Sequence, residues 1–388
     1  MKINLIIPSF YPAVVYGGPI FSTLHTSQAL AKLEDIEVRV STTNANMTTK
    51  LDVETNKWTK FEEHFFVKYY NTTIKHTISI PMYVCMRRDI KQSDVIHIQS
   101  VYNVSTPFAL FYAHIFKKHV LLSPRGQFGG WCLDNGSGFK QKWFDLFIKP
   151  FRNNITWHAT AEQEKNEIKA ILANEKVEVI PNGIEYDVFQ ETSVFSKQEF
   201  MIKYAKKEIK TEQIIISMGR LQKKKGFDIL IDSFLKVLET YTNARLLIAG
   251  QDEGEEENLL QQISKLGLAD QVFLIGAING QDKIDFLANA DLFVLPSHNE
   301  NFGNVYVESL AAGTPIVASK NTPWSEVEDA DCGKWVINSV SETAQAILEI
   351  LQKDRDQMRI NSRKLAKKYD WKNIALQFKE VFEQMVRK

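Results

Sequence analysis

Short apolar and β-branched runs recur along the chain. In the first half they are INLIIP (3–8), VRVST (38–42), VIHIQS (95–100), HVLLSP (119–124), ITWHAT (155–160) and VEVIPN (177–182). Runs this continuous predict parallel strands covered on both faces. Between residues 19 and 33, Ile20, Phe21, Leu24, Leu30 and Leu33 recur at roughly helical spacing. The second half starts the pattern again with QIIISMG (213–219), ARLLIAG (244–250), QVFLIG (271–276), DLFVLPS (291–297), TPIVAS (314–319) and KWVIN (334–338). The segments FDILIDSFLKVLETY, EENLLQQISKLG and QDKIDFLANA read as helices between them. Strand and helix alternating through short loops predict α/β architecture with doubly wound parallel sheets. The restart predicts two such domains facing one another.

The polar stretch 190–212 breaks the pattern and is the expected linker, placing the domains at 1–190 and 191–371. The closing segment 372–388 continues an amphipathic helix with Trp371, Ile374, Phe378 and Phe382 on one side.

Composition narrows the class. A chain of 388 residues exceeds one ordinary core, and 44% hydrophobic content fits a globular protein. The formal net charge of zero gives no overall pull toward nucleic acid. Cys85, Cys132 and Cys332 are far apart and form no metal-ligand spacing, which favours a reducing cytoplasmic setting. No run of about 18 apolar residues is present, and MKINLIIPSFYP reads as a first strand.

Ligands of open α/β sheets bind at the carboxyl ends of the strands. Four segments fall there. In YPAVVYGGPIF, Gly17 and Gly18 are either a phosphate-binding turn or a plain turn before a helix that starts at Pro19. In SMGRLQKKKGFDIL, Arg220 and Lys225 either converge on a diphosphate or belong to a solvated basic loop. In NENFGNVYVESLAAGTP, Gly303 turns the chain and a helix starts near Asn304, its first N–H groups facing anionic oxygens. Glu308 there is either an acceptor for a sugar diol or a partly buried acid paired with a lysine. Glu300 is either a polyol acceptor or an acid near a helix N-terminus. In LLSPRGQFGGW, Arg125 points into the same crevice or is structural. Together these residues describe a site for a nucleotide diphosphate-sugar.

ENFGNVYVESLAAGTPIVAS resembles the Glu–seven residues–Glu motif of retaining family-four glycosyltransferases. GRLQKKKGFDIL, VEVIPNGIEYDVF, HATAEQEKNEI and the late YDW are similar to other segments of that family, so the resemblance spans nearly the whole chain. It implies the GT-B fold: two Rossmann-like, doubly wound domains facing across a cleft, with the last helix crossing back onto the first. The first domain would bind the acceptor and the second the nucleotide-sugar. Arg220 and Lys225 would neutralise the departing diphosphate, and Glu308 would hold the ribose. Glu300 and the backbone at Phe302, Gly303, Asn304 and Val305 would hold the transferred sugar and phosphates. The Gly17–Gly18 turn would close from the other domain. No metal or other cofactor is implied, and the Asp-Ala-Asp at 329–331 reads as a solvated turn. One departure stands out: Arg125 occupies the neighbourhood of the family's usual histidine, in an SPRG segment similar to that of enzymes of bacterial surface-polysaccharide assembly. His97 reads as a core histidine.

The expected partners are a UDP- or GDP-sugar donor and a glycan or lipid-linked oligosaccharide acceptor chosen by loops such as 44–62 and 127–140. The expected location is the cytoplasm, at most resting on the inner face of the cell membrane. The segment FKQKWFDLFIKPFR (139–152) interleaves cations with Trp143, Phe147 and Phe151 at four-residue spacing. Those rings either rest on a headgroup surface or pack inside the first domain. The rival functions are a nucleotide-sugar 2-epimerase and a non-catalytic nucleotide-sugar-binding protein.

Overall fold

A computed structural model describes residues 1–74, 77–129 and 138–387. Cys132 and most of the expected acceptor loop 127–140 lie outside the described residues. The chain forms two compact units: Met1–Gly183 joined by the chain from Trp371 onward, and Ile184–Asp370.

The first unit holds an eight-stranded sheet. Its strands are β1 (Lys2–Ser9), β2 (Glu37–Thr43), β3 (Thr59–Glu62), β4 (Phe65–Tyr70), β5 (Val95–Gln99), β6 (His119–Ser123), β7 (Ile155–Ala159) and β8 (Val177–Val179). The order is β8-β7-β6-β5-β1-β2-β4-β3, parallel except for the edge strand β3. The pleat sends alternate residues into two apolar layers. Leu5, Ile7 and Leu121 face α1 (Gly18–Ala31) and the terminal helix Trp371–Val386. Ile6, Val120 and Leu122 face α2 (Ile80–Lys91), α3 (Ser105–Ile115), α4 (Phe139–Phe147) and α5 (Glu162–Ile171). The terminal helix is integral to the first layer, because Trp371, Ile374, Phe378 and Phe382 are all buried there. Gly183 permits this packing, since a Cβ at that position would fall within the Trp371 ring.

β3 and β4 are absent from the expected strands. β4 carries Lys68 midway, which hides the apolar pattern; the structure buries that lysine against Asp89 at 3.3 Å. The aromatic stripe of 139–152 turns inward. Trp143 and Phe151 pack against the second layer, Phe147 contacts Trp143, and Trp143 donates to the Val101 carbonyl at 3.3 Å.

The second unit holds a six-stranded sheet. Its strands are β9 (Ile214–Met218), β10 (Arg245–Ala249), β11 (Val272–Leu274), β12 (Leu292–Leu295), β13 (Ile316–Ser319) and β14 (Gly333–Val336). The order β11-β10-β9-β12-β13-β14 reverses direction beside β9, and every pairing is parallel. The helices that frame the candidate site are α6 (Phe227–Val237), α7 (Gly280–Ala288) and α8 (Asn304–Ala312). The stretch 190–212, expected as a linker, belongs to this unit. Phe200, Met201 and Tyr204 anchor it in the core, and the division falls earlier, at Gly183. Both units are Rossmann-like α/β folds.

Candidate functional site

The switch in strand order places the ends of β9 and β12 side by side, where an open parallel sheet accepts ligands. Glycines let the loops after these strands touch. Gly226 stands at φ +67°, and a Cβ there would collide with the Pro296 carbonyl oxygen. The His298 N–H donates to the Lys224 carbonyl at 2.8 Å.

That approach joins the loops through Lys225 and Glu300. The ammonium donates to Glu300 Oε1, and the side chains are only 15% and 12% exposed. Ser297 donates to the same oxygen at 3.1 Å, and the Glu300 N–H donates to the Asn321 carbonyl at 3.3 Å. The stem of Lys225 runs along Gly219, where a Cβ would meet Lys225 Cε at 3.3 Å. Arg220 takes a different course. Its guanidinium donates to Glu253 at 2.9 Å with the side chain 58% exposed, so the two cations expected to converge stand with separate carboxylates.

Gly303 reverses the chain at φ +75° and α8 begins at the next residue. Phe302 is an anchor: its ring is buried beside Trp324 and Tyr369, and its carbonyl accepts from Trp324 Nε1 at 2.7 Å. Tyr306, buried and donating to the Leu295 carbonyl at 2.7 Å, ties the first turn of α8 to β12; burial pushes its phenol well above the ordinary range. Val305 packs partly buried on the core. The first turn of a helix cannot satisfy its own N–H groups, and α8 starts at Asn304 just past the end of β12, so the positive end of its dipole lies at the strand ends. One turn in, Glu308 accepts from Lys283 of α7 at 2.6 Å. It is a partly buried acid paired with a lysine, and an ionised carboxylate offers about four lone-pair sites, enough for a diol as well.

In the first unit, Gly17 adopts φ +75° and ψ −145°, a conformation essentially restricted to glycine. Among the described residues a Cβ on Gly17 or Gly18 would meet nothing within 4 Å, so there conformation rather than crowding sets the requirement at Gly17. Arg125 follows β6 at φ +57°. Its Nε donates to Gln99 at 2.6 Å and Nη1 to Asn182 at 2.9 Å. Beneath it, the Glu164 carboxylate accepts from the Gly126 and Thr160 N–H groups, both at 2.7 Å, fixing the turn. Burial lowers the Arg125 guanidinium to about 10, opposed by the Glu164 charge.

A buried polar line leads inward from Arg125. The amide of Gln99 lies 2.9 Å from His97 Nε2, which lies 2.9 Å from Ser123 Oγ. Ser123 donates to His158 Nδ1 at 2.6 Å, because His158 Nε2–H is committed to the Ile180 carbonyl at 2.8 Å. Both histidines are held neutral by burial, helped at His158 by the nearby Arg125 charge. His97 is a core residue here.

The sequence reading omitted the partners Glu253, Lys283, Ser297, Gln99, Asn182 and Glu164. Only Glu164 carried a local signal, an acid at the start of a helix in HATAEQE. Among the described residues no group of His, Cys, Asp or Glu could hold a metal ion. In the Asp-Ala-Asp segment, Asp331 pairs with Lys353.

Residues 199–368, nearly all of the second unit, match the family model described as Glycosyl transferases group 1. The phosphatidyl-myo-inositol mannosyltransferase of Mycobacterium leprae (strain TN) is 29% identical over 247 residues, covering 62% of each chain. The chain thus spans under two thirds of that relative's length. The crystal structure of Anabaena Alr3699/HepE in complex with UDP superposes with a TM-score of 0.75 at 19% identity, covering 99% of this chain and 100% of that one. The structure of WaaG, a glycosyltransferase involved in lipopolysaccharide biosynthesis, gives a TM-score of 0.69 at 16% identity, covering 98% and 99%. These neighbours are GT-B enzymes, and the chain shares their fold.

Proposed function

We propose that this chain, whose second unit belongs to the Glycosyl transferases group 1 family, moves a hexose-type sugar from a nucleotide diphosphate-sugar to a glycan or lipid-linked acceptor. The observation that carries the reading is the set of groups along the ends of β9 and β12. The Lys225–Glu300 pair, the start of α8 and the Glu308–Lys283 pair are fixed there by backbone contacts and buried aromatics. Cations and helix N–H groups suit phosphate oxygens, and carboxylates suit sugar hydroxyls.

In this reading the second unit binds the donor. Lys225 shares its ammonium between Glu300 and a phosphate oxygen, since it carries three N–H donors. Arg220 serves the same diphosphate after leaving Glu253, Glu308 takes the ribose hydroxyls, and Glu300 takes the transferred sugar. The backbone from Phe302 to Val305 presents N–H groups to the phosphates. The first unit binds the acceptor and contributes the Gly17–Gly18 turn and Arg125, the latter in place of a histidine.

Charge that grows on the leaving diphosphate is met by these fixed cations and dipoles, without a metal. The acceptor hydroxyl attacks the anomeric carbon on the face the diphosphate leaves. The carbon–oxygen bond to phosphate breaks, a donor phosphate oxygen receives the hydroxyl proton, and configuration is retained. We place the enzyme in the cytoplasm at the inner face of the membrane, building a surface polysaccharide. That setting draws on the SPRG segment and on the involvement of WaaG in lipopolysaccharide biosynthesis. The UDP bound to the Anabaena protein favours a uridine donor over a guanosine one.

A thermal-shift screen with UDP, GDP, ADP and their sugars tests the reading, because a ligand that binds the native state raises its stability. One base is expected to raise the transition temperature, with its sugar conjugate at least as effective. No shift with any of them, in folded protein, would overturn the proposal.

A further inference from the structure

Helix α3 is built inside out. Ala109, Leu110 and Ala113 form its buried side, while Phe108, Phe111 and Ile115 point outward at 39%, 48% and 50% exposure. A surface helix ordinarily buries its large apolar residues and exposes its small ones. The neighbouring α2 adds Ile80 and Val84, one turn apart and 55% and 64% exposed. The helices are joined where Phe108 stacks on Tyr83, with ring centroids 4.6 Å apart. A contiguous exposed apolar surface of this kind marks a contact site.

The exposed charge around this surface is predominantly positive. Arg87, Arg88 and Lys91 are exposed on α2, and Lys117 is exposed just beyond α3. Arg87 and Lys91 lie over the Phe116 ring at 5.9 and 6.0 Å, which places them at the foot of the α3 stripe. From Ile80 to His119 the acids are Asp89 and Asp94. Asp89 is buried against Lys68, and Asp94 accepts from the Lys2 N–H at 2.7 Å. With Arg87, Arg88, Lys91 and Lys117 exposed against the single exposed acid Asp94, the segment presents a net cationic rim.

We propose that the outer face of α2 and α3 docks on an anionic phospholipid surface. Phe111 and Ile115 enter the boundary between headgroups and acyl chains, and Arg87, Arg88, Lys91 and Lys117 meet headgroup phosphates. A second copy is a poorer occupant, because a two-fold contact sets the same basic residues against themselves. The contact is not the one the sequence offered at 139–152, whose aromatic stripe packs inward. It deepens the reading of a transferase with a lipid-linked acceptor, but vesicle binding is measured without donor and so stands or falls separately.

The test is co-sedimentation of the full chain with vesicles of phosphatidylcholine mixed with phosphatidylglycerol, against phosphatidylcholine alone. Binding is expected only to the anionic vesicles, and it should weaken with salt. Phe111→Asp/Ile115→Asp and, independently, Arg87→Glu/Lys91→Glu should each reduce it at least about tenfold. All four positions are exposed, so wild-type circular dichroism and thermal transition are expected of both variants. No binding of wild type to anionic vesicles overturns the proposal. So does full binding by the Phe111→Asp/Ile115→Asp variant alongside loss in Phe139→Asp/Leu146→Asp, which would move the contact to α4. A dimer that Phe111→Asp/Ile115→Asp dissociates, without vesicle binding, overturns it in favour of a second copy.

Discussion

Lys225 and Glu300, 75 residues apart in the chain, form a largely buried ion pair that ties the loop after β9 to the loop after β12. Removing one partner strands the other charge. Lys225→Ala should therefore lower stability by ~2 kcal/mol and turnover by about tenfold or more. The double variant Lys225→Ala/Glu300→Gln separates the two losses. Its transition temperature should recover toward wild type while its turnover stays low. Thermal unfolding and initial rates decide it, and normal turnover in folded Lys225→Ala would remove this lysine from the chemistry.

Glu308 stands 2.6 Å from Lys283, a residue of a different helix. If Glu308 receives the ribose hydroxyls, Glu308→Gln should weaken nucleoside diphosphate binding about tenfold, because an amide presents its NH2 where an acceptor is needed. Lys283→Met should weaken it less, since the carboxylate keeps its acceptors and loses only its anchor. Isothermal titration with the effective diphosphate measures both. Equal affinity in wild type and Glu308→Gln would assign Glu308 to the ion pair alone.

The proposed charge neutralisation runs through Arg220, Lys225 and the α8 N-terminus. Turnover should accordingly be unchanged by EDTA at concentrations that strip magnesium and manganese, and restoring the metal should add nothing. A chelator-sensitive rate that a divalent cation restores would refute that assignment.

Buried His97 and His158 make the first unit acid-sensitive. Burial, with the Arg125 charge, holds His158 at about 3, against an ordinary 6.5. His97 is also well below the ordinary value, by burial and the His158 and Arg125 charges. Between the folded and unfolded values the unfolded chain binds protons that the native state refuses, so stability falls as pH drops below the ordinary histidine value. The slope approaches ~1.4 kcal/mol per pH unit for each histidine. Urea melts at about pH 7 and about pH 5 should show this loss, and His158→Asn should show a shallower one. The same pH dependence in both proteins would place the acid sensitivity elsewhere.

Gly226 is required twice, by its positive φ and by the Pro296 carbonyl that a Cβ would strike. Gly226→Ala should cost ~2 kcal/mol or more and displace Lys225 from Glu300. A variant with wild-type stability, read by chemical denaturation, would show that the loop can move aside.

Legibility followed chemistry that is local in sequence. The parallel strands were readable because burial on both faces leaves continuous apolar runs, as in LLIA of β10. β4 was hidden by Lys68, whose neutralising partner Asp89 lies in a later helix. The stretch 190–212 looked like a linker because charge dominates it, yet Phe200, Met201 and Tyr204 suffice to bind it to the second core. At the candidate site, the places of Lys225 and Glu300 on loops after strand ends, and of Glu308 one turn into a helix, were legible in the sequence. Their pairings were not, because Lys283 and Glu300 reach their partners only through tertiary contact. Helical spacing put Trp143, Phe147 and Phe151 on one face but carried no information on which face turns inward.

The terminal helix also sets an order of events during synthesis. Trp371, Phe378 and Phe382 complete an apolar layer over strands near the start of the chain. A ribosome that has made Met1–Gly183 has therefore made a sheet with one face covered only in part, by α1. That face must wait for the whole of Ile184–Asp370 to emerge before Trp371–Val386 can cover it. The second unit, contiguous in sequence, is free to fold first. Premature termination inside the last helix should harm the earliest-made half more than the latest-made one.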